Sequence, residues 1–172
     1  MVAVFLQVMF TNVEYLFSYG SNNAKQLEER TGAVNLTPIG AFIPNYSRIF
    51  AGNSSYRNGG VASIYPYEGD RVCGSIVTLT LEELEKLDQY ELGYNRERIT
   101  VMLHETGEII ECHVYIRIDY IFQRMPSEEY LLAIHKNLQH VNLLSDDDGI
   151  VIRGVVKDKD EQEMIQSFGS WK

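Results

Sequence analysis

The sequence predicts an α+β fold, and three observations lead to this class. Runs rich in β-branched residues, with partial alternation, predict strands over residues 61–65, 72–79, 98–103 and 109–118. Other segments carry helix caps and helical periodicity. The short connection 105–108 between the last two runs is typical of a hairpin, which makes their pairing antiparallel.

The N-terminal part predicts a strand, a turn and a short helix. Residues 14–19 form the strand, and residues 24–30 form a helix that Gly32 ends. The turn Gly20-Ser21-Asn22-Asn23 lies between them and can present backbone amides beside a helix N-terminus, where negative charge is favoured. We therefore expect an anion or oxyanion site at this turn.

A second helix is predicted over residues 81–91. Thr80 and Glu83 have the spacing of a capping box, and Gly93 supplies a stop. At about 100° per residue, one apolar stripe of this helix contains Leu81, Leu84 and Leu87.

Glu91 is the most informative residue of this helix. It falls almost directly above Leu84, on the face that should be apolar, with Asp88 nearer the edge. Burial and the negative end of the helix dipole would both raise the pKa of Glu91, as a general acid/base near neutral pH requires. The alternative is a structural ion pair with Arg96 or Arg98.

The C-terminal part predicts a third helix and a last strand. Ser127 caps a helix over residues 127–141, whose apolar stripe contains Tyr130, Leu131, Ile134, Leu138 and Val141. Residues 150–156 predict a strand, followed by a short helix from Asp158. The only long stretch typical of a loop is 53–60.

Composition sets the wider limits. With 172 residues and 45% hydrophobic content, the chain can bury one core, and we expect a single domain over residues 1–172. The formal net charge of -9 without a basic stripe argues against nucleic acid and anionic membranes, but it permits a small anionic substrate. Residues 1–10 lack the basic start of a signal peptide and predict an added strand, so we expect a cytoplasmic protein.

The sequence gives little support for a metal site or for a serine nucleophile. Cys73 and Cys112 are isolated, as expected of free thiols in a reducing compartment. Ser21 lacks the GxSxG elbow of a serine nucleophile, and residues 146–149 predict a turn rather than a calcium loop. The histidines lack metal spacing or an acidic partner in register: His104, His113, His135 and His140.

Four segments of the chain follow one another in a recognisable order and spacing. They are Tyr19-Gly20-Ser21-Asn22, Asn58-Gly59-Gly60-Val61-Ala62-Ser63-Ile64, Gly69-Asp70-Arg71-Val72-Cys73-Gly74 and Leu87-Asp88-Gln89-Tyr90-Glu91. The YGSN turn alone is moderately specific, whereas the whole series is strongly so. In this order the segments resemble the gamma-glutamylcyclotransferase family, and the resemblance extends from about Glu14 to Tyr130.

The resemblance implies a small, mostly antiparallel β-barrel with flanking helices and a pocket at its mouth. It implies an enzyme of glutathione metabolism that converts gamma-glutamyl compounds into 5-oxoproline without a metal or cofactor. Glu91 would be the catalytic acid/base, and substrate contacts would come from Tyr19, Gly20, Ser21, Asn22, Tyr94 and Tyr130. The chain departs from the family pattern at Leu92, which precedes Gly93, and residues 137–149 have no family counterpart.

Three functions stay open on the sequence. The first is release of 5-oxoproline and an amino acid from gamma-glutamyl amino acids or dipeptides. The second keeps this chemistry but acts on gamma-glutamyl-epsilon-lysine, a gamma-glutamylamine. The third is a module that binds gamma-glutamyl ligands without turnover. The retained Glu91 argues against it, because a site without turnover would not need a buried acid, which is costly. The oligomeric state is unknown from the sequence.

Overall fold

The computed structural model describes residues 13–143 and 149–171, and its centre is a closed barrel in the order β1-β3-β2-β4-β5. Parallel pairing of Leu16 with His113 joins β1 to β5, whereas the other neighbours in the barrel pair antiparallel. The predicted α+β class and the mostly antiparallel barrel are therefore confirmed. The strands are β1 (Val13–Ser18), β2 (Ile39–Ser54), β3 (Gly59–Thr80), β4 (Tyr94–Leu103) and β5 (Ile109–Arg117).

A long hairpin of β2 and β3 forms much of the barrel wall. The sequence predicted no strand between residues 33 and 53, and it divided β3 into two short runs; both expectations are wrong. Pro44 interrupts the β2 pattern, and the register shifts between Pro44 and Tyr46 accommodate it. The expected loop 53–60 shrinks to a tight turn at the tip of the hairpin.

The helices are α1 (Ala24–Thr31), α2 (Leu81–Asp88) and α3 (Glu128–His140). Thr80 and Glu83 form the expected capping box on α2, and Ser127 caps α3. The α2 helix ends before Glu91, contrary to prediction. Its end tightens, because the backbone N–H groups of Gln89 and Tyr90 bond to carbonyls only three residues earlier.

The C-terminal residues form a two-stranded antiparallel sheet of β6 (Ile150–Lys157) and β7 (Glu163–Trp171). The predicted helix from Asp158 is wrong, because the Asp158 carboxylate accepts hydrogen bonds from the backbone of Asp160 and Gln162 and so stabilises a turn. The predictions for residues 1–10 and for Asp146-Asp147-Asp148 lie outside the described residues.

Two clusters of buried side chains meet at β1. Successive residues of a strand point to opposite faces, so Leu16 packs toward α1 and α2 while Phe17 packs into the barrel interior. The buried leucines of α2 belong to the same cluster as Leu16, and the buried apolar residues of α3 belong to the same cluster as Phe17. The chain that leaves β1 is therefore anchored on both sides.

Candidate active site

The turn 20–23 connects β1 to α1 as the sequence predicted. The Asn23 side chain caps α1 by accepting from the Gln26 backbone over 2.8 Å. A Cβ on Gly20 would lie 3.6 Å from the Tyr130 hydroxyl, which is ordinary contact. Gly20 therefore lies against the wall of the site without needing a left-handed backbone.

Side chains from elsewhere in the chain hold the carbonyl groups of this turn. Asn137 of α3 donates from Nδ2 to the oxygen of Gly20 over 2.8 Å and to that of Asn22 over 3.3 Å. Arg48 of β2 donates from Nε to the oxygen of Tyr19 over 3.0 Å. Sequence analysis missed both side chains, since Asn137 begins the segment without a family counterpart and Arg48 lies in the missed strand.

Glu91 lies in the turn after α2, with its carboxyl partly buried. Asn22 donates from Nδ2 to Glu91 Oε1 over 2.7 Å, and Arg30 donates from Nη1 to Asn22 Oδ1 over 3.1 Å. Burial raises the pKa of Glu91, while the Asn22 bond and the charges of Arg30 and Arg57 oppose that rise. The direction agrees with prediction, but Glu91 is outside the helix and its burial is the main cause.

The alternative ion pair of Glu91 with Arg96 or Arg98 is wrong. Arg96 donates to both carboxylate oxygens of Asp88, over 2.8 and 3.2 Å. Arg98 donates to Glu111 over 2.9 Å. Both arginines therefore have other partners.

Asp88 and His113 belong to a polar network beneath the site. The Tyr115 hydroxyl donates to Asp88 over 2.7 Å, and Arg96 Nη1 lies 3.0 Å from His113 Nδ1. His113 pairs with Arg98 in the β4–β5 hairpin, so it has no acidic partner in register, as expected. Its Nε2 nevertheless lies 3.3 Å from the carboxylate of Glu14, an acidic partner outside the hairpin. That partner comes from β1, which is far from His113 in sequence but adjacent in the barrel.

A cavity of about 730 Å³ opens between the turn after β1 and the turn after α2. The structure brings all the predicted site residues to its wall: Tyr19, Gly20, Ser21, Asn22, Glu91, Tyr94 and Tyr130. The volume is typical of sites for small molecules.

Tyrosine hydroxyls meet the barrel backbone at one point of this wall. Tyr94 donates to the carbonyl of Ala62 over 2.8 Å, and the Tyr130 hydroxyl accepts from the Ala62 backbone over 2.9 Å. Tyr19 donates to the carbonyl of Tyr115, which occupies its hydroxyl hydrogen. Burial raises the pKa of Tyr19, Tyr94 and Tyr130, so these hydroxyls stay protonated at neutral pH.

Arginines that sequence analysis did not select also line the cavity. They are Arg30, Arg57 and Arg117. The Arg57 guanidinium lies 5.6 Å from the centre of the Tyr130 ring, and that of Arg117 lies 5.3 Å from the Tyr94 ring. No local motif marks these arginines, because only the fold places them beside the tyrosines.

Within residues 13–143 and 149–171, no group of three or more His, Cys, Asp or Glu side chains could hold a metal ion. Over the same ranges, none of the helices has both the length and the apolar character needed to cross a membrane. Cys73 and Cys112 are free thiols, and burial raises the pKa of Cys112 to about 12.

The protein is thus a closed barrel with a cavity of small-molecule size. The Glu91 carboxyl and the strand-to-helix turn after β1 both line this cavity. The family model described as Gamma-glutamyl cyclotransferase, AIG2-like, matches residues 16–132, and the chain belongs to this family. Membership indicates gamma-glutamyl cyclotransferase-like activity toward a small gamma-glutamyl compound. Comparison with curated proteins gives no significant match.

Solved structures share the fold at low sequence identity. A structure described as gamma-glutamyl cyclotransferase is 23% identical, with a TM-score of 0.68 over 76% of this chain and 81% of that chain. A human protein described as uncharacterized is 24% identical, with a TM-score of 0.68 over 77% of this chain and 82% of its own. A yeast gamma glutamyl cyclotransferase specific to glutathione is 14% identical, with a TM-score of 0.54 over 78% and 93%.

Proposed function

We propose that this protein is a gamma-glutamyl cyclotransferase that releases 5-oxoproline and an amino acid from gamma-glutamyl amino acids or dipeptides, with Glu91 as the general acid/base. The observation that carries the proposal is the Glu91 carboxyl at the cavity, held 2.7 Å from Asn22 Nδ2 and with its pKa raised by burial. A carboxyl group that is fixed in this way and titrates closer to neutrality is suited to exchange protons with a substrate.

The chemistry needs little more than positioning and proton transfer. The α-amine of a gamma-glutamyl group can close a five-membered ring on its own γ-carbonyl, so both reactants are already in one molecule. A bond forms from the α-nitrogen to the carbonyl carbon, and the bond from that carbon to the departing nitrogen breaks. Glu91 carries protons from the α-nitrogen to the departing nitrogen, and no water is consumed.

Asp88 is a poorer candidate for this role although it is close in sequence. Arg96 binds both of its carboxylate oxygens, and Tyr115 donates a third hydrogen bond. These bonds fix the side chain and occupy both of its carboxylate oxygens. Glu91 accepts from Asn22 alone among the described side chains, which leaves it free to bind a substrate nitrogen.

The turn after β1 is suited to bind substrate oxygen atoms. Arg48 and Asn137 bind the carbonyl groups of Tyr19, Gly20 and Asn22. Among the backbone hydrogen bonds of the described turns and loops, none is donated by the amides of Gly20 and Ser21, so these amides can bind a ligand. Backbone amides near a helix N-terminus stabilise negative charge that develops on an oxygen. We assign Tyr94 and Tyr130 to the wall that confines the substrate beside them.

The test is release of 5-oxoproline by the purified protein from gamma-glutamyl-alanine and from gamma-glutamyl-epsilon-lysine. We expect turnover of the dipeptide, and we expect Glu91→Gln to lower it by about a hundredfold to ten-thousandfold, as for loss of a general base. Glu85→Gln is the matched control, because Glu85 is exposed on α2 and lies outside the cavity. It should keep wild-type turnover.

Each other outcome selects a different function. Release only from gamma-glutamyl-epsilon-lysine would identify a gamma-glutamylamine cyclotransferase. Binding of both compounds without release would identify a binding module. A folded Glu91→Gln variant within a few-fold of wild type would remove Glu91 from the mechanism.

A further inference from the structure

Arg57 lines the cavity at the tip of the hairpin between β2 and β3. Its guanidinium lies 5.0 Å from the centre of the Tyr56 ring and 5.6 Å from that of Tyr130. No acidic side chain of residues 13–143 and 149–171 lies within ion-pair distance of it. Aromatic faces hold this cation in place but leave its N–H donors for another partner.

Arg117 lies in a cradle that two glycines make possible. Gly52 has φ +63°, and a Cβ there would lie 2.8 Å from Arg117 Nη2; Gly93 has φ +84°, and a Cβ there would lie 2.6 Å from Nη1. Within the described part of the chain, Nη1 makes one long hydrogen bond, 3.5 Å to the Leu92 carbonyl, and the buried Nε has no partner. The guanidinium is thus held in place with few of its donors satisfied.

The two arginines flank one point of the cavity wall. Arg57 packs on Tyr130 and Arg117 on Tyr94, and the hydroxyls of both tyrosines meet the peptide group of Ala62. A ligand that lies along this wall would therefore meet a cation at each end.

The charge of the cavity is opposite to that of the chain. The chain has a formal net charge of -9, yet its charged cavity residues are Arg30, Arg57 and Arg117 against Glu29 and Glu91. Arg30 is already hydrogen-bonded to Asn22. The other two arginines are left for an anionic ligand, and guanidinium groups bind carboxylates with matched geometry.

We propose that Arg57 and Arg117 bind the two carboxylates of a gamma-glutamyl α-amino acid. Arg57 binds the α-carboxylate of the gamma-glutamyl group, and Arg117 binds the carboxylate of the departing amino acid. The proposal rests on the proposed function and narrows its substrate class. It excludes simple amines as preferred leaving groups.

The assignment of the two arginines follows from the position of Glu91. Arg57 packs on Tyr130, whose hydroxyl faces Gly20 in the same turn as Asn22, the hydrogen-bond partner of Glu91. Arg117 packs on Tyr94 instead. The substrate α-carboxylate is bonded to the same carbon as the α-amine, and this amine must reach Glu91. Arg57 is therefore placed for that carboxylate, and Arg117 is placed for the one beyond the scissile bond.

The test compares kcat/KM for gamma-glutamyl-alanine and gamma-glutamyl-ethylamide, because ethylamine is alanine without its carboxylate. Wild-type protein should prefer gamma-glutamyl-alanine by about tenfold to a hundredfold, the value of a charge-assisted contact. Arg117→Gln should bring this ratio close to one. Arg57→Gln should weaken turnover of both compounds and keep the ratio. Arg71→Gln, an exposed arginine outside the cavity, is the matched control and should keep both rates.

The outcomes separate this proposal from the function on which it rests. A wild-type ratio near one overturns the two-carboxylate site, whether or not the variants fold. Equal losses on both compounds in a folded Arg117→Gln variant also overturn it, because they indicate a structural role. If neither compound yields 5-oxoproline, the proposed enzymatic function is refuted. The two-carboxylate site is then tested by calorimetric measurement of binding. Equal affinity of the wild-type protein for the two compounds would overturn the site.

Discussion

We predict that replacing Asn22 changes the pH dependence of turnover, although the Asn22 side chain does not titrate. Asn22 donates to Glu91 Oε1 over 2.7 Å, and this bond stabilises the charged carboxylate and lowers its pKa against the effect of burial. Asn22→Ala removes the bond and leaves the burial. The pKa of Glu91 should therefore rise further.

The size of the change follows from the strength of such bonds. A hydrogen bond to a charged group contributes about 1.5–3 kcal/mol, and one pKa unit corresponds to about 1.4 kcal/mol. The acid limb of the kcat/KM profile reports the free enzyme's essential base. We expect this limb to move upward by about one to two pH units, so that activity falls much more at pH 6 than at pH 8.

The assay is 5-oxoproline release from gamma-glutamyl-alanine between about pH 5 and pH 9, the range over which a raised carboxyl pKa would show. Asn95→Ala is the control, because Asn95 is exposed on β4 and lies outside the cavity. A uniform loss of activity in Asn22→Ala, with an acid limb that does not move, would refute the reasoning. It would mean that Asn22 positions substrate and does not tune Glu91.

Two further predictions concern the supports of the site. Gly93→Ala and Gly107→Ala both place Ala at a positive φ and should each lose about 1–2 kcal/mol of unfolding free energy in urea, but only Gly93→Ala should impair turnover of gamma-glutamyl-alanine. The reason is that a Cβ at residue 107 meets nothing within 4 Å, whereas a Cβ at residue 93 meets Arg117. Equal activity of the two variants would contradict this prediction. Burial lowers the pKa of His113, so its contribution to stability is present above about pH 6.5 and is lost as the pH falls through the folded-state pKa. Unfolding free energies measured from pH 7.5 to 5 should therefore fall more steeply for wild type than for His113→Gln, and parallel slopes would contradict this expectation.

Local signals predicted the parts of the fold that depend on a few neighbouring residues. The capping box needs only Thr80 and Glu83, and the structure confirms it. The helix expected from Asp158 is absent, because a side chain that can cap a helix here closes a turn between β6 and β7. The single-domain expectation and the cytoplasmic location stay predictions.

Other features depend on contacts between distant parts of the chain. The β2 strand tolerates Pro44 because its register with β3 shifts there, which no local pattern shows. Asn137 reaches the carbonyl of Gly20 across 117 positions in sequence. The family motifs supplied Glu91 and the turn, but neither they nor the periodicity marked Arg57 or Arg117. Their surroundings exist only once the barrel has closed.

The contact of two phenols with Ala62 has a consequence for the exposed edge of β3. Along β3, residues 75–80 pair with β1 on one edge, but the β1 pairing does not extend to Ala62, where the hydroxyls of Tyr94 and Tyr130 take its carbonyl and its N–H. Side chains therefore close the edge of β3 at the point that β1 does not cover. An edge closed in this way has no free backbone groups at Ala62 with which a strand of another molecule could pair.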